Sequence, residues 1–342
     1  MSKKIVFLGT GGTIAGTAAS AVDNVGYTAA QLNVDQLLVC IPALPDTLGE
    51  CTAVFEQVMQ IDSKDMGWPQ WLALVRRVCH YLTMPDVAAI VVTHGTDTLE
   101  ETAFFLSQVL PRDGLACKSV VLTCAMRPAS SLAADGPQNL LDAVVVARSQ
   151  AAHGVLVVCA GGVHAAHAVQ KVHPYRLNAF DSGDAAALAY VEEGAVRWVQ
   201  RCPQSDRNTA FTPELLERWS QGPWPRVEIV MNYVGATGAT VRALCVEPSD
   251  SSPAVQGIVV AGTGNGTLHH DLEAALWQAQ RQGVKVVRAT RCPQGCVVPG
   301  AGSDAALPHA QGLSAVKARI ALMLDIMATM ATSLKTARHH PP

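Results

Sequence analysis

The sequence predicts an α/β protein of two domains: a larger N-terminal, mostly parallel sheet flanked by helices, and a smaller Rossmann-like C-terminal α/β domain. Three observations predict it. Short β-branched runs alternate with longer helical segments, as strands joined by crossover helices must. Residues 88–92 form a nearly unbroken apolar run, which suits a strand covered on both faces. The chain has 342 residues, more than one hydrophobic core usually organises.

Taken in order, the expected strands of the first domain are Ile5–Leu8, Val54–Ile61, Ala89–Thr93, Ser119–Cys124 and Gly154–Cys159. The helices expected between them are Trp68–Leu82, Leu99–Leu110 and Gln138–Ala151. The alternation weakens after about residue 200. Polar and Pro-rich stretches at 201–208 and 221–225 bracket a short helical piece, Glu214–Trp219, and mark 201–225 as a linker. Strands resume at Val227–Met231, Gly257–Ala261 and Val284–Ala289, with helices at Leu272–Gln282 and Ser314–Leu334. The domains are thus expected at 1–200 and 226–342, and the tail Ala337–Pro342 is expected to fray.

Composition narrows the function. Hydrophobic residues make up 49% and charged ones 15%, which is enough apolar matter for a packed core. Net charge is −3 with no basic stripe, which argues against a nucleic-acid partner. No run reaches the length of a membrane span. The basic start and the apolar Ile5–Leu8 resemble the opening of an export signal, but Gly9-Thr10-Gly11-Gly12 interrupts it. Ten cysteines lack the spacing of a disulfide framework, so a reducing, cytoplasmic setting is expected.

Three Gly/Thr-rich segments each follow an apolar strand: Gly9–Gly16, Thr93–Thr98 and Gly262–Gly266. In an open parallel sheet, ligands bind beyond the carboxyl ends of the strands. The first and third segments start a dinucleotide fingerprint but fail it, with Ile14 and Thr267 where the last glycine belongs. No Gly-Lys-Ser/Thr follows, so a P-loop is excluded. Hydroxyl chemistry remains, carried by Thr10, Thr13, Thr96 and Thr98 with Asp97 among them. A threonine hydroxyl needs a neighbouring base to become a nucleophile, and Asp97 alone is too weak a one. The competing structural reading is that these threonines cap turns and helices. Thr98, with Glu101 three residues on, reads as a capping box. His94 reads as a loop-orienting or packing residue, and His153, His164, His167 and His173 lack a metal-binding arrangement.

The segments Thr10-Gly11-Gly12-Thr13-Ile14-Ala15-Gly16 and Val92–Ala103 (VTHGTDTLEETA) resemble the two signature segments of the bacterial L-asparaginase family. The resemblance continues through Ala125-Met126-Arg127-Pro128, Ala134–Pro137 and Gly262–Gly266, and covers nearly the whole chain. It implies a cofactor-free homotetramer of intimate dimers that hydrolyses L-asparagine through a threonine acyl-enzyme. By the same resemblance Thr13 attacks, on a mobile loop that also carries the activating phenol Tyr27. Thr96, Asp97 and Lys171 form a rigid triad; Ser63, Lys64, Gly95 and Asp97 lie at the substrate, and Asn265 approaches from a neighbouring subunit. A broader glutaminase-asparaginase and a non-catalytic amino-acid-binding protein on this scaffold stay open as alternatives.

Two positions depart from the family. Lys64 stands where secreted members carry Gln or Glu, and an inward ammonium there would repel the substrate's own. Some relatives place a glutamate in the region of Gly295–Ser303, whereas here no glutamate follows Glu273. These departures lead to the expectation of weak substrate affinity and little glutaminase activity.

Overall fold

The computed structural model describes residues 2–203, 217, 219–220, 222–246, 253–299 and 307–338. The helical piece expected at Glu214–Trp219 and the 201–225 linker lie largely outside the described residues, as do Gly300–Ser303, Asp304 and the end of the tail. Chain contacts divide the protein into two compact units, Met1–Ser220 and Gln221–Pro342.

The first unit holds strands β1 (Lys4–Gly11), β2 (Thr52–Ile61), β3 (Val87–Thr93), β4 (Ser119–Thr123), β5 (Gly154–Cys159), β6 (Gly162–Ala165), β7 (Gln170–Lys171), β8 (Phe180–Asp181), β9 (Ala189–Glu192) and β10 (Ala195–Trp198). Its helices are α1 (Val34–Val39), α2 (Leu44–Leu48), α3 (Trp68–Leu82), α4 (Leu99–Val109), α5 (Arg112–Leu115) and α6 (Gly136–Arg148). Eight strands form one sheet in the order β10-β9-β6-β5-β4-β3-β1-β2. The half from β2 to β5 is parallel and the half from β5 to β10 antiparallel.

Alternation along β1 shows how both faces are used. Ile5 and Phe7 join one core cluster with Leu37, Leu38, Leu140 and Val144 from α1 and α6. Val6 and Leu8 point to the opposite face and are also fully buried. On α3 and α4, which contribute nothing to that cluster, Trp71 stacks on Phe105 at 4.3 Å and its Nε1 donates to Thr102 Oγ1. Each such large apolar side chain contributes about 1.5–3 kcal/mol on burial.

The second unit contains β11 (Arg226–Met231), β12 (Val255–Gly262) and β13 (Lys285–Thr290), paired in parallel in that order. Helices α7 (Ala239–Leu244), α8 (His270–Arg281) and α9 (Ala315–Arg338) accompany it. Ile258, Val260, Leu272 and Leu276 centre its separate core.

The structure corrects several expectations. Helix α6 begins at Gly136 rather than Gln138, because Pro137 in its first turn has no N–H to satisfy, and it ends at Arg148. Helix α8 begins at His270, since the His269 side chain accepts from the Asp271 N–H and caps it. Strands β6 to β10 have no counterpart in the expected elements. They are two to four residues long, joined by tight turns such as Ala160-Gly161 and Glu193-Gly194, all at positive φ. Pairing orders them rather than any strong pattern of their own: β6 pairs with β5, β9 with β6 and β10 with β9, while β7 and β8 pair with each other. Among the described residues, no helix is long and apolar enough to cross a membrane.

Candidate active site

The order β2-β1-β3-β4-β5 reverses chain direction of travel at β1, so the loops after β1 and β3 open a crevice between them at the carboxyl edge. Backbone contact brings those loops together. Gly12, at φ 80°, donates its N–H to Ile61 O at the end of β2. A Cβ on Gly12 would collide with the Gly95 backbone, and one on Gly95 would lie 2.5 Å from Ser63 Oγ. Both positions therefore need glycine for close approach, and Gly12 needs it for its conformation as well.

The loop after β2 contributes Ser63, which is 2% exposed. Its Oγ accepts from the Asp97 N–H at 3.2 Å, and its carbonyl accepts from Thr98 Oγ1 at 2.8 Å. This corrects the capping-box expectation. Thr98 occupies the N-cap of α4, but its hydroxyl donates across to the neighbouring loop instead of accepting from the helix. The difference is tertiary: the fold brings the Ser63 carbonyl to the Thr98 hydroxyl, and the hydroxyl is oriented to donate to it.

Two threonine hydroxyls stand in this crevice with different partners. Thr13, in a short 3-10 turn after β1, lies 2.7 Å from the Tyr27 phenol oxygen. Thr96 accepts from Lys171 Nζ at 2.8 Å, and the same ammonium donates to Asp97 Oδ1 at 2.6 Å. Lys171 lies in the two-residue strand β7, opposite Phe180 of β8. Its side chain is 17% exposed against 52% for Asp97, so the ammonium sits mainly inside and the carboxylate faces outward. Thr13 and Thr96 are both buried. The sequence-expected residues Thr13 and Tyr27 are thus joined, as are Thr96, Asp97 and Lys171, with Ser63 and Gly95 between the loops.

Lys64 does not join them. Its Nζ pairs with Asp65 and its side chain is 61% exposed. The Asp65 hydrogen bond raises its pKa, which keeps it charged and turned to that carboxylate. Asn265 belongs to the second unit, where Nδ2 donates to Val298 O and Oδ1 accepts from Val298 N–H. That pair pins the loop at Val298.

Several supporting residues were not singled out by sequence reasoning. Gly16 leaves room for the Tyr27 ring, since a Cβ there would lie 2.8 Å from Tyr27 Cδ2. The segment bearing Tyr27 is bridged to the first loop through Thr17 and Thr28. It is also tied to 129–132 through Ala129 N to Gly16 O, Ser130 Oγ to the Ala18 N–H, and Ser131 Oγ to Asn24. Asp135 accepts from the N–H groups of Met126 and Arg127, which shapes the loop after β4. The only advance signal was that 125–128 and 134–137 lie within the resemblance; their partners are far away in sequence.

His94 is fully buried beside this cluster, with Nδ1 2.7 Å from Gly95 O. Burial pushes its pKa down to about 4. A separate cavity of about 730 Å³ lies beside α6, lined by Arg127, Asp135, Asp142 and Glu193 among others, and its lining includes none of Thr13, Tyr27, Ser63, Thr96, Asp97 and Lys171. Among the described residues, His269, His270 and Asp271 alone place three possible metal-ligand atoms within 4.8 Å. They stand at the N-terminus of α8, whose positive dipole end disfavours a cation.

Both units resemble known proteins. Residues 4–204 match the family described as "Asparaginase, N-terminal", and residues 226–337 the "Glutaminase/Asparaginase C-terminal domain". The chain is 36% identical over 330 residues to "L-asparaginase 2" of Escherichia coli (strain K12), covering 95% of this chain and 89% of that one. It is 34% identical over 335 residues to "Glutaminase-asparaginase" of Pseudomonas fluorescens biotype A, covering 95% and 86%. Among solved structures, the probable cytoplasmic L-asparaginase from Campylobacter jejuni superposes with a TM-score of 0.84 at 34% identity, with 95% of each chain covered. Loop convergence at the switch point, two partnered threonines and matches along both units lead to one conclusion: the chain belongs to the asparaginase family.

Proposed function

We propose that this protein hydrolyses L-asparagine to L-aspartate and ammonia through an acyl-enzyme on Thr13. The observation that carries this reading is the pair of buried threonines, each hydrogen-bonded to a side chain able to move a proton. Thr13 Oγ1 attacks the side-chain amide carbon as its proton leaves along the hydrogen bond to Tyr27. The carbonyl electron pair moves onto oxygen, where backbone N–H groups near Thr13 and Thr96 stabilise it. The C–N bond then breaks, ammonia departs with the returned proton, and Thr13 holds an aspartyl ester. Thr96 orients the water that cleaves the ester, with Lys171 and Asp97 carrying the proton.

Asp97 receives the substrate's α-ammonium, while Ser63 and the Gly95 backbone hold its α-carboxylate. These steps draw only on side chains, backbone and water. We assign the chemistry to the N-terminal domain, residues 1–200, with 201–225 as linker and 226–342 as the second domain. In a homotetramer of intimate dimers, Asn265 would approach a neighbouring subunit's site. A cytoplasmic location fits the printed name of the similar Campylobacter jejuni structure, a probable cytoplasmic L-asparaginase.

The test is ammonia release from L-asparagine and L-glutamine by the wild type and by Thr13→Ala. Release from asparagine, lost in Thr13→Ala, is the expected result. No release from either amide by folded protein would sink the reading, and near-wild-type turnover by Thr13→Ala would remove Thr13 as nucleophile. Comparable rates on both amides would select the broader glutaminase-asparaginase.

A further inference from the structure

His94 is the first residue after β3. Its N–H donates to Thr123 O on β4, which anchors the residue to the sheet. The Gly95 carbonyl can only accept, so the imidazole Nδ1 must carry the proton in the 2.7 Å bond between them. That leaves Nε2 as a bare acceptor, buried without a partner among the described residues. Burial also keeps the ring neutral, its pKa pushed down to about 4. A leucine would fill the same space with no orphaned nitrogen, so packing alone does not account for a histidine here.

The peptide after Gly95 supplies the account. It is planar and trans, so its carbonyl and the Thr96 N–H point to opposite edges. Gripping the carbonyl on the buried side turns the N–H away from the imidazole. Among the described residues nothing accepts that N–H, whereas the Thr96 hydroxyl is held by Lys171. Gly95 cannot restrain the peptide itself: contact with Gly12 and Ser63 forbids a Cβ, and glycine has the freest backbone. An external clamp is therefore required.

We propose that His94 is a positioning residue, whose Nδ1–H holds the Gly95–Thr96 peptide so that the Thr96 N–H faces the oxygen that becomes negative during amide hydrolysis. This rests on the asparaginase reading of the site and adds the group that aligns one of its donors. His94 itself touches no reacting atom.

Three substitutions separate this role from simple packing. In His94→Asn, Nδ2 can stand near the place of Nδ1 and still donate to Gly95 O. In His94→Gln the amide nitrogen reaches the Nε2 position, and His94→Leu has no donor. Kinetics on L-asparagine and melting temperature are measured for each. Expected is a fall in kcat of roughly 10²–10³ for Leu and Gln, as for loss of one oxyanion donor, with KM within about threefold and kcat recovered to within about tenfold in Asn. If Leu does not fold, the Asn–Gln contrast carries the same test. Unchanged kcat in Leu or Gln, or an equal loss in Asn, would overturn the proposal while leaving an active wild type. An inactive wild type would instead overturn the asparaginase reading beneath it.

Discussion

The two halves of the site are built on different footings. Thr96, Asp97 and Lys171 form a charged group rooted at the end of β3, between Ser63 and the β7–β8 ribbon. Thr13 and Tyr27 form a neutral pair on a 3-10 turn and a loop, held by the Thr17–Thr28 bridge and by bonds to 129–132. The burial of the two threonines is nearly equal, at 7% and 5%, so exposure does not distinguish them. Their partners do. A phenol can pass a proton without placing a net charge beside the attacked carbonyl, whereas an ammonium–carboxylate pair holds opposite charges ready at fixed positions. On the proposed mechanism, the difference teaches that the strand end supplies a preset field while the loop supplies the nucleophile.

That contrast can be broken from either side. The largest effect is expected from Lys171→Met, which removes the proton carrier of the proposed mechanism and leaves Asp97 without its cation. We expect kcat to fall by roughly 10³–10⁴, read by steady-state ammonia release. Unimpaired turnover would show that the charged half is structural. Tyr27→Phe removes one hydroxyl and leaves the ring over Gly16, so folding should be intact and kcat should fall by roughly 10²–10³. A drop confined to KM would reassign Tyr27 to substrate closure.

A thermodynamic prediction tests the buried side of the rigid half. The His94 imidazole has a folded pKa of about 4, below its usual value of 6.5. Between those values the unfolded chain binds a proton that the folded one excludes. Stability contributed here is therefore complete above pH 6.5 and declines as pH falls towards 4. From pH 7 to 4.5 the wild type should lose about 2 kcal/mol more than His94→Asn, measured by denaturant unfolding. Equal losses would place the acid sensitivity elsewhere.

The smallest effect should come from Lys64→Gln. Its ammonium is paired with Asp65 at the surface, and exposed pairs contribute about 0–1 kcal/mol, so KM should change by about fivefold at most. A larger improvement in KM would mean that Lys64 does oppose the substrate's ammonium, as its sequence position suggested.

Much of this was legible in the residues. The parallel half of the sheet announced itself because strands such as β1 and β3 are buried on both faces and must be apolar throughout. The two threonine segments were legible because glycines at Gly12 and Gly95 have no substitute where backbones touch. Strands β6 to β10 were not legible, since such short segments gain their order from neighbours rather than from their own pattern. The capping-box reading of Thr98 failed for a related reason. The local motif offers the hydroxyl a helix N–H to accept from, and only the fold reveals an acceptor for it at Ser63.

By itself, then, the sequence determined which strands are buried, where glycine must stand, and which hydroxyls, phenol, ammonium and carboxylate are available. Those properties depend on side-chain chemistry and on spacing along the chain. Tertiary structure alone decided the pairings: Thr13 with Tyr27, Lys171 with Thr96 and Asp97 more than 70 positions away, His94 with the Gly95 carbonyl, and Lys64 with Asp65 instead of the crevice. Hydrogen bonds act over about 3 Å. Which groups come within that reach depends on strand order at the β1–β3 switch, and no local pattern encodes that order.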